Sequence, residues 1–141
     1  MTIPVMQKSD AMKTILSTMI SISGRKITQG DAISTMDTVL KNLEKHYDFL
    51  KHVQINDTRF SEDGEMIHIE SELNTTNTNE LGEAINEIVT TMHHSLGKHA
   101  GFFFIKELQK RLGDDYISYI KDMGVDLSLL QLESEVIKFP K

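Results

Sequence analysis

Three histidines, His93, His94 and His99, crowd one short stretch of the chain. Imidazole is the side chain best suited to metal ligation and to proton transfer near neutral pH. A divalent metal needs two or three imidazoles or carboxylates converging on one point. From one helix that convergence uses i,i+4 spacing, as in His-Glu-x-x-His. His93 and His94 are adjacent and point about 100° apart, so a shared ion would need His99 to fold back toward them. Glu83 and Glu87 share the outer helix face with His94, which makes His93, His94, His99 and Glu87 the metal-site reading of this sequence. The simpler reading is that these histidines face solvent, cap a helix end or make a pH-sensitive contact. His46, His52 and His68 are scattered and add little.

Other catalytic chemistry finds few residues to carry it. The chain has no cysteine, which excludes a thiol nucleophile, a thiolate metal site and a disulfide framework. Hydroxyl residues are plentiful, but Ser21-Ile22-Ser23-Gly24 does not match a nucleophile elbow. Glycine-rich phosphate and dinucleotide loops are absent, so no cofactor is expected. Helix-turn-helix, EF-hand and zinc-finger spacings are absent as well. The paired carboxylates Glu70 with Glu72 and Asp114 with Asp115 sit where an exposed strand edge and a helix start would want them.

The sharpest signal is aromatic. Three of the six phenylalanines, Phe102, Phe103 and Phe104, are consecutive. On a helix whose core stripe is Ile105, Leu108 and Leu112, Phe102 and Phe104 flank the stripe and Phe103 points away from it. The neighbours of Phe103 on that side are Lys106, Glu107 and Lys110. A phenylalanine among charges on an outer face is a contact residue for a second subunit or partner, unless the chain covers it itself.

The elements that position these groups follow from apolar periodicity. Met12, Ile15, Leu16, Met19 and Ile20 define a first helix starting near Ser9-Asp10, with Ser23-Gly24 as its stop. Its opposite face is Thr14, Ser17, Thr18 and Ser21, small enough for close approach by another helix or subunit. A second helix is predicted from about Asp31 to about Lys51. The period then shortens to two: Val53 and Ile55, then Ile67, Ile69, Ser71 and Leu73, joined by a turn at Glu62-Asp63-Gly64-Glu65. Glu135 to Phe139 offers a third strand. Leu81, Ile85, Ile88, Val89, Met92 and Leu96 define a third helix beginning near Glu80. Its stripe lies nearly opposite that of Ile105, Leu108 and Leu112, so a break is predicted between Gly97 and Gly101. A fourth helix ends near Gly113, a fifth begins at Asp114-Asp115 and ends at Gly124, and a short helical segment follows. The predicted class is α+β: one helix-dominated domain over residues 1–141 with a small antiparallel sheet.

Length and charge bound the function. A chain of 141 residues with 39% hydrophobic and 26% charged residues suits one soluble domain. A net charge of −6 disfavours nucleic-acid binding. No apolar run approaches a membrane span, and no secretory leader is apparent, so the expected location is cytoplasmic. The expected function is a non-enzymatic interaction or regulatory domain, homodimeric, or taking a protein partner or a small apolar ligand. Its interface would draw on Phe103, Lys106, Lys110, Thr14, Ser17, Thr18 and Ser21.

Overall fold

The computed structural model describes residues 7–26, 29–56, 66–96 and 103–138. Among the described residues, five helices and one two-stranded antiparallel sheet are formed: α1 (Lys8–Lys26), α2 (Gln29–Leu43), β1 (Val53–Ile55), β2 (Ile67–Ile69), α3 (Thr78–Ser95), α4 (Phe104–Lys121) and α5 (Leu127–Lys138). Two 3₁₀ turns flank the sheet, Asp48–His52 before β1 and Ser71–Thr75 after β2. This is the helix-dominated α+β class that the apolar patterning predicts.

Helix α1 is the central element. It packs on α2, α4, β2 and the second 3₁₀ turn. Met12, Ile15, Leu16, Met19, Ile20 and Ile22 are all buried on it, which requires neighbours on more than one side. The row of small hydroxyls on its back admits α4: Thr14 Oγ1 lies 3.3 Å from the Tyr116 hydroxyl, and Arg111 Nη1 donates to Ser21 Oγ at 3.0 Å. Thr18 and Ser17 return their hydroxyls to the Thr14 carbonyl at 2.7 and 3.2 Å, a local bond common to helical Ser and Thr.

The polar segment before α3 caps two helices at once. Asn77 Oδ1 accepts from the Glu80 N–H at 3.1 Å, the usual N-cap bond. Asn74 Oδ1 accepts from the Ser9 N–H at 2.9 Å, and Lys8 Nζ donates to the Thr76 carbonyl. The start of α1 is thereby tied to the start of α3 across the molecule.

Several boundaries differ from the sequence reading. Ser23-Gly24 does not stop α1, which continues to Lys26. One glycine in a well-packed helix costs only about 1 kcal/mol, and Ile22 and Ser23 are buried there. Helix α2 ends at Leu43, eight residues before Lys51. The Leu43 carbonyl accepts from both His46 and Tyr47 at 2.9 Å, and the chain tightens into the first 3₁₀ turn, whose Leu50 is buried. Strand β2 stops at Ile69, so Ser71 and Leu73 belong to a 3₁₀ turn. Residues 135–138 lie inside α5 and form no third strand; the β-branched Val136 and Ile137 are overridden by the helix begun at Leu127. The turn at Glu62–Glu65 lies outside the described residues.

Helix α3 ends at Ser95, α4 begins at Phe104, and the two pack on each other; the predicted break between Gly97 and Gly101 falls in the segment between them. Gly97 to Phe102 lie outside the described residues. At Gly113, φ is 81° and ψ 168°, so α4 is two helical segments joined at the glycine the sequence marks as a boundary. At Gly124, φ is 98°. There the Gly124 N–H reaches the Lys121 carbonyl and the Val125 N–H the Ile120 carbonyl, a Schellman cap with buried Ile120 and Val125 as its apolar contact.

Candidate functional site

Phe103 stands at the N-cap of α4, 53% exposed, while its neighbour Phe104 is fully buried. The 3.6-residue period forces this divergence, because Phe104 lies beside Ile105 and Leu108 on the core stripe. Lys106 and Lys110 follow Phe103 along the same outer face, both exposed.

Helix α5 carries a second anomaly. It buries Leu127 and Gln131, whereas Leu129 is 52% and Leu132 57% exposed. A helix that faced only water on this side would reverse that choice, since burying a full leucine is worth about 1.5–3 kcal/mol. An inward glutamine with outward leucines is the kind of departure that marks a contact surface. Asp126 Oδ1 caps the helix by accepting from the Leu129 N–H at 3.1 Å, which helps to set its rotation. Gln109 Nε2 donates to Ser128 Oγ at 3.0 Å. That bond ties α4 to α5 at a point one residue from both Lys110 and Leu129. Among the described residues, Phe103, Leu129 and Leu132 are the large apolar side chains left exposed.

No family model, curated protein or solved structure matches this chain.

Of the seven residues expected at an interface, Phe103, Lys106 and Lys110 share one exposed face. Thr14 and Ser21 direct their hydroxyls to α4 within the chain, and Thr14, Ser17 and Thr18 are half-buried. Leu129 and Leu132 were not among the expected residues. The signal available for them is the run Leu127-Ser128-Leu129-Leu130-Gln131-Leu132, which carries more leucines than one helix face can bury.

Of the histidines in the metal-site reading, the structure describes two. His93 is half-buried and His94 exposed, with ring centroids 5.5 Å apart and planes inclined by 51°. Glu87 faces the Tyr47 phenol. Burial, first, and then the Glu87 and Glu83 carboxylates push the Tyr47 phenol above its ordinary value. His99 lies outside the described residues. Among the described residues, the histidine and carboxylates whose ligand atoms converge are His52, Glu70 and Glu72.

That convergence comes from strand register. Val53 pairs with Ile69, Gln54 with His68 and Ile55 with Ile67, so the next rung sets His52 opposite Glu70. The Glu70 N–H donates to the His52 carbonyl at 2.9 Å. A two-residue turn at Asp63-Gly64 would instead place His52 opposite Thr75, which is why the pair is hidden in the sequence.

A groove of about 300 Å³ lies between the end of α2 and β1. Leu40, Leu50 and Val53 form its floor, and Asp37, Lys41 and Lys51 are among its charged lining. Lys41 pairs with Asp37 and Lys51 with Asp48, each at 3.0 Å, so this lining is largely neutralised within the chain. Among the described residues, no helix is long and apolar enough to cross a membrane.

Proposed function

We propose that the protein is a non-enzymatic interaction or regulatory domain that acts by self-association, through the exposed faces of α4 and α5. The observation that carries this reading is the polarity of α5, where Gln131 is turned in and Leu129 and Leu132 are turned out. Phe103, exposed at the start of α4, supplies an aromatic anchor of the kind that dominates interface energetics. The occupant is a second copy of the chain. Exposed Lys106 and Lys110 follow Phe103 on α4, and exposed Glu133 is next to Leu132 on α5, so the apolar groups of the two helices carry neighbours of opposite charge. Opposite charges of this kind allow a self-complementary contact across a two-fold axis.

Sedimentation equilibrium of the full chain tests this. The unmodified chain is expected to have the mass of a dimer, and Leu132→Asp that of a monomer with an unchanged far-UV circular dichroism spectrum. A monomeric unmodified chain at every concentration up to ~100 μM, a ceiling that corresponds to about 5.5 kcal/mol of association, would overturn the reading. So would a Leu132→Asp variant that stays dimeric. A third outcome, a monomer that binds a different protein through this face, replaces the occupant and refutes the dimer.

A further inference from the structure

We propose that His52, Glu70 and Glu72 form a binding site for a divalent transition-metal cation of the zinc class. The site stands apart from the α4–α5 surface and does not depend on it. One nitrogen and two oxygens converge there, all within 4.8 Å of one another.

The nearest pair fixes the geometry. His52 Nδ1 lies 3.5 Å from Glu70 Oε1, yet Nδ1 is shielded from solvent and makes no hydrogen bond among the described residues. A direct imidazolium–carboxylate hydrogen bond would close to about 2.7–2.9 Å. A cation bound at about 2.0–2.2 Å from each ligand in a tetrahedral arrangement spaces those ligands by about 3.4 Å. The observed separation fits an ion between the two groups better than a bond between them. Glu72 is exposed, so its carboxylate can swing inward to complete a third edge.

The backbone that carries these ligands is pinned. The Glu70 N–H to His52 carbonyl bond closes the last rung of the sheet. Leu50 in the first 3₁₀ turn and Leu73 in the second are buried in the core, and the two turns pack on each other. Ligand positions are thus set by two anchored turns and a strand pair, with the partly exposed Glu70 and exposed Glu72 side chains left to adjust.

Ligand chemistry selects the metal class. Imidazole favours zinc and its neighbours over magnesium and calcium, which take six or more oxygens. Two carboxylates beside a neutral imidazole match the charge of a divalent cation. Three protein ligands leave a tetrahedral ion one position for water, the open form of zinc site.

Isothermal titration calorimetry of the full chain with Zn²⁺ is the test, with Mg²⁺ as the contrast. One equivalent of Zn²⁺ is expected to bind saturably, and Mg²⁺ to bind far more weakly. Glu72→Gln changes only an exposed side chain and should weaken Zn²⁺ binding by about tenfold or more, an effect at least as large as loss of an outer-shell partner. A His93→Ala, His94→Ala double variant should bind as the unmodified chain does. NMR of the imidazole protons should show the His52 ring responding in step with the added metal. Absence of saturable heat, an undiminished affinity in Glu72→Gln, equal affinity for Mg²⁺, or loss of binding in the His93/His94 variant would each overturn the assignment.

Discussion

The carbonyl oxygen of Met123 occupies the space that a Cβ on Gly82 would fill. Gly82 is a buried position of α3, and one turn later Asn86 Nδ2 donates to the Gly124 carbonyl at 3.2 Å. The turn that ends α4 therefore rests directly on the α3 backbone. Gly82→Ala would press a methyl group into main chain, which cannot rotate away as a flexible side chain can. Overpacking of this kind costs about 1–3 kcal/mol. Thermal denaturation should show a fall of several degrees in Tm. Gly124→Ala should cost about 1–2 kcal/mol for a different reason, its left-handed φ of 98°. If Gly82→Ala melts with the unmodified chain, the contact is not as close as described.

Much of this fold is written in its apolar spacing, and the exceptions share one physical cause. Helices α1 to α4 could be read from stripes such as Leu81, Ile85, Ile88 and Met92, because each buries a full face. The break at Gly113 and the cap at Gly124 were legible because positive φ selects glycine. The exposure of Phe103 followed from its phase against Ile105 and Leu108. What the sequence concealed was pairing between segments distant along the chain. His52 reads as an isolated histidine until the register sets it opposite Glu70. Likewise, the hydroxyls of Thr14 and Ser21 read as a free face until α4 lies against them. Local periodicity reports which face of an element is apolar, but not which neighbour covers the rest.

Glu107 ties the end of α1 to α4. Its carboxylate meets Arg25 as an ion pair and Arg111 Nη2 at 3.3 Å, and it is only 23% exposed. Arg111 also reaches Ser21. Glu107→Gln removes the charge that both guanidinium groups share and should destabilise the chain by about 1 kcal/mol at low ionic strength. Urea denaturation of both chains at about 20 mM and about 1 M salt provides the measurement. The difference between them should shrink at high salt, where the screening length falls to about 3 Å. An equal penalty at both salt concentrations would mean that packing, not charge, is responsible.

Tyr47 makes stability fall at alkaline pH. Its phenol is held above its ordinary value first by burial, then by the Glu87 and Glu83 carboxylates. A folded-state pKa above the unfolded one means that the folded chain holds the proton more tightly. The corresponding stability is complete below the unfolded value of 10.0 and declines as pH rises through the higher folded value. Tyr119 adds to the same trend, its phenol raised by burial and by Asp10. Denaturant midpoints recorded from pH 8 to pH 11, a range that brackets the ordinary phenol value of about 10, should fall less steeply for Tyr47→Phe than for the unmodified chain. Parallel profiles would sink the assignment.

Ser23 offers a substitution that should raise stability. Its side chain is fully buried in α1, and Oγ has no hydrogen-bond partner among the described residues. A buried hydroxyl left without a partner loses its bonds to water and regains nothing, a penalty of about 1–3 kcal/mol. Ser23→Ala removes the oxygen, keeps the Cβ and improves helix propensity by a few tenths of a kcal/mol. The cavity it leaves is less than one methyl group in size, which offsets part of the gain. The net expectation is a stabilisation of about 1 kcal/mol by urea denaturation, without change in the denaturant slope. Ser23→Val is the informative companion, because two methyl groups must fit where one oxygen stood. In a helix packed on several sides it should be less stable than Ser23→Ala. A Ser23→Ala variant weaker than the unmodified chain would show instead that the hydroxyl is bonded in solution.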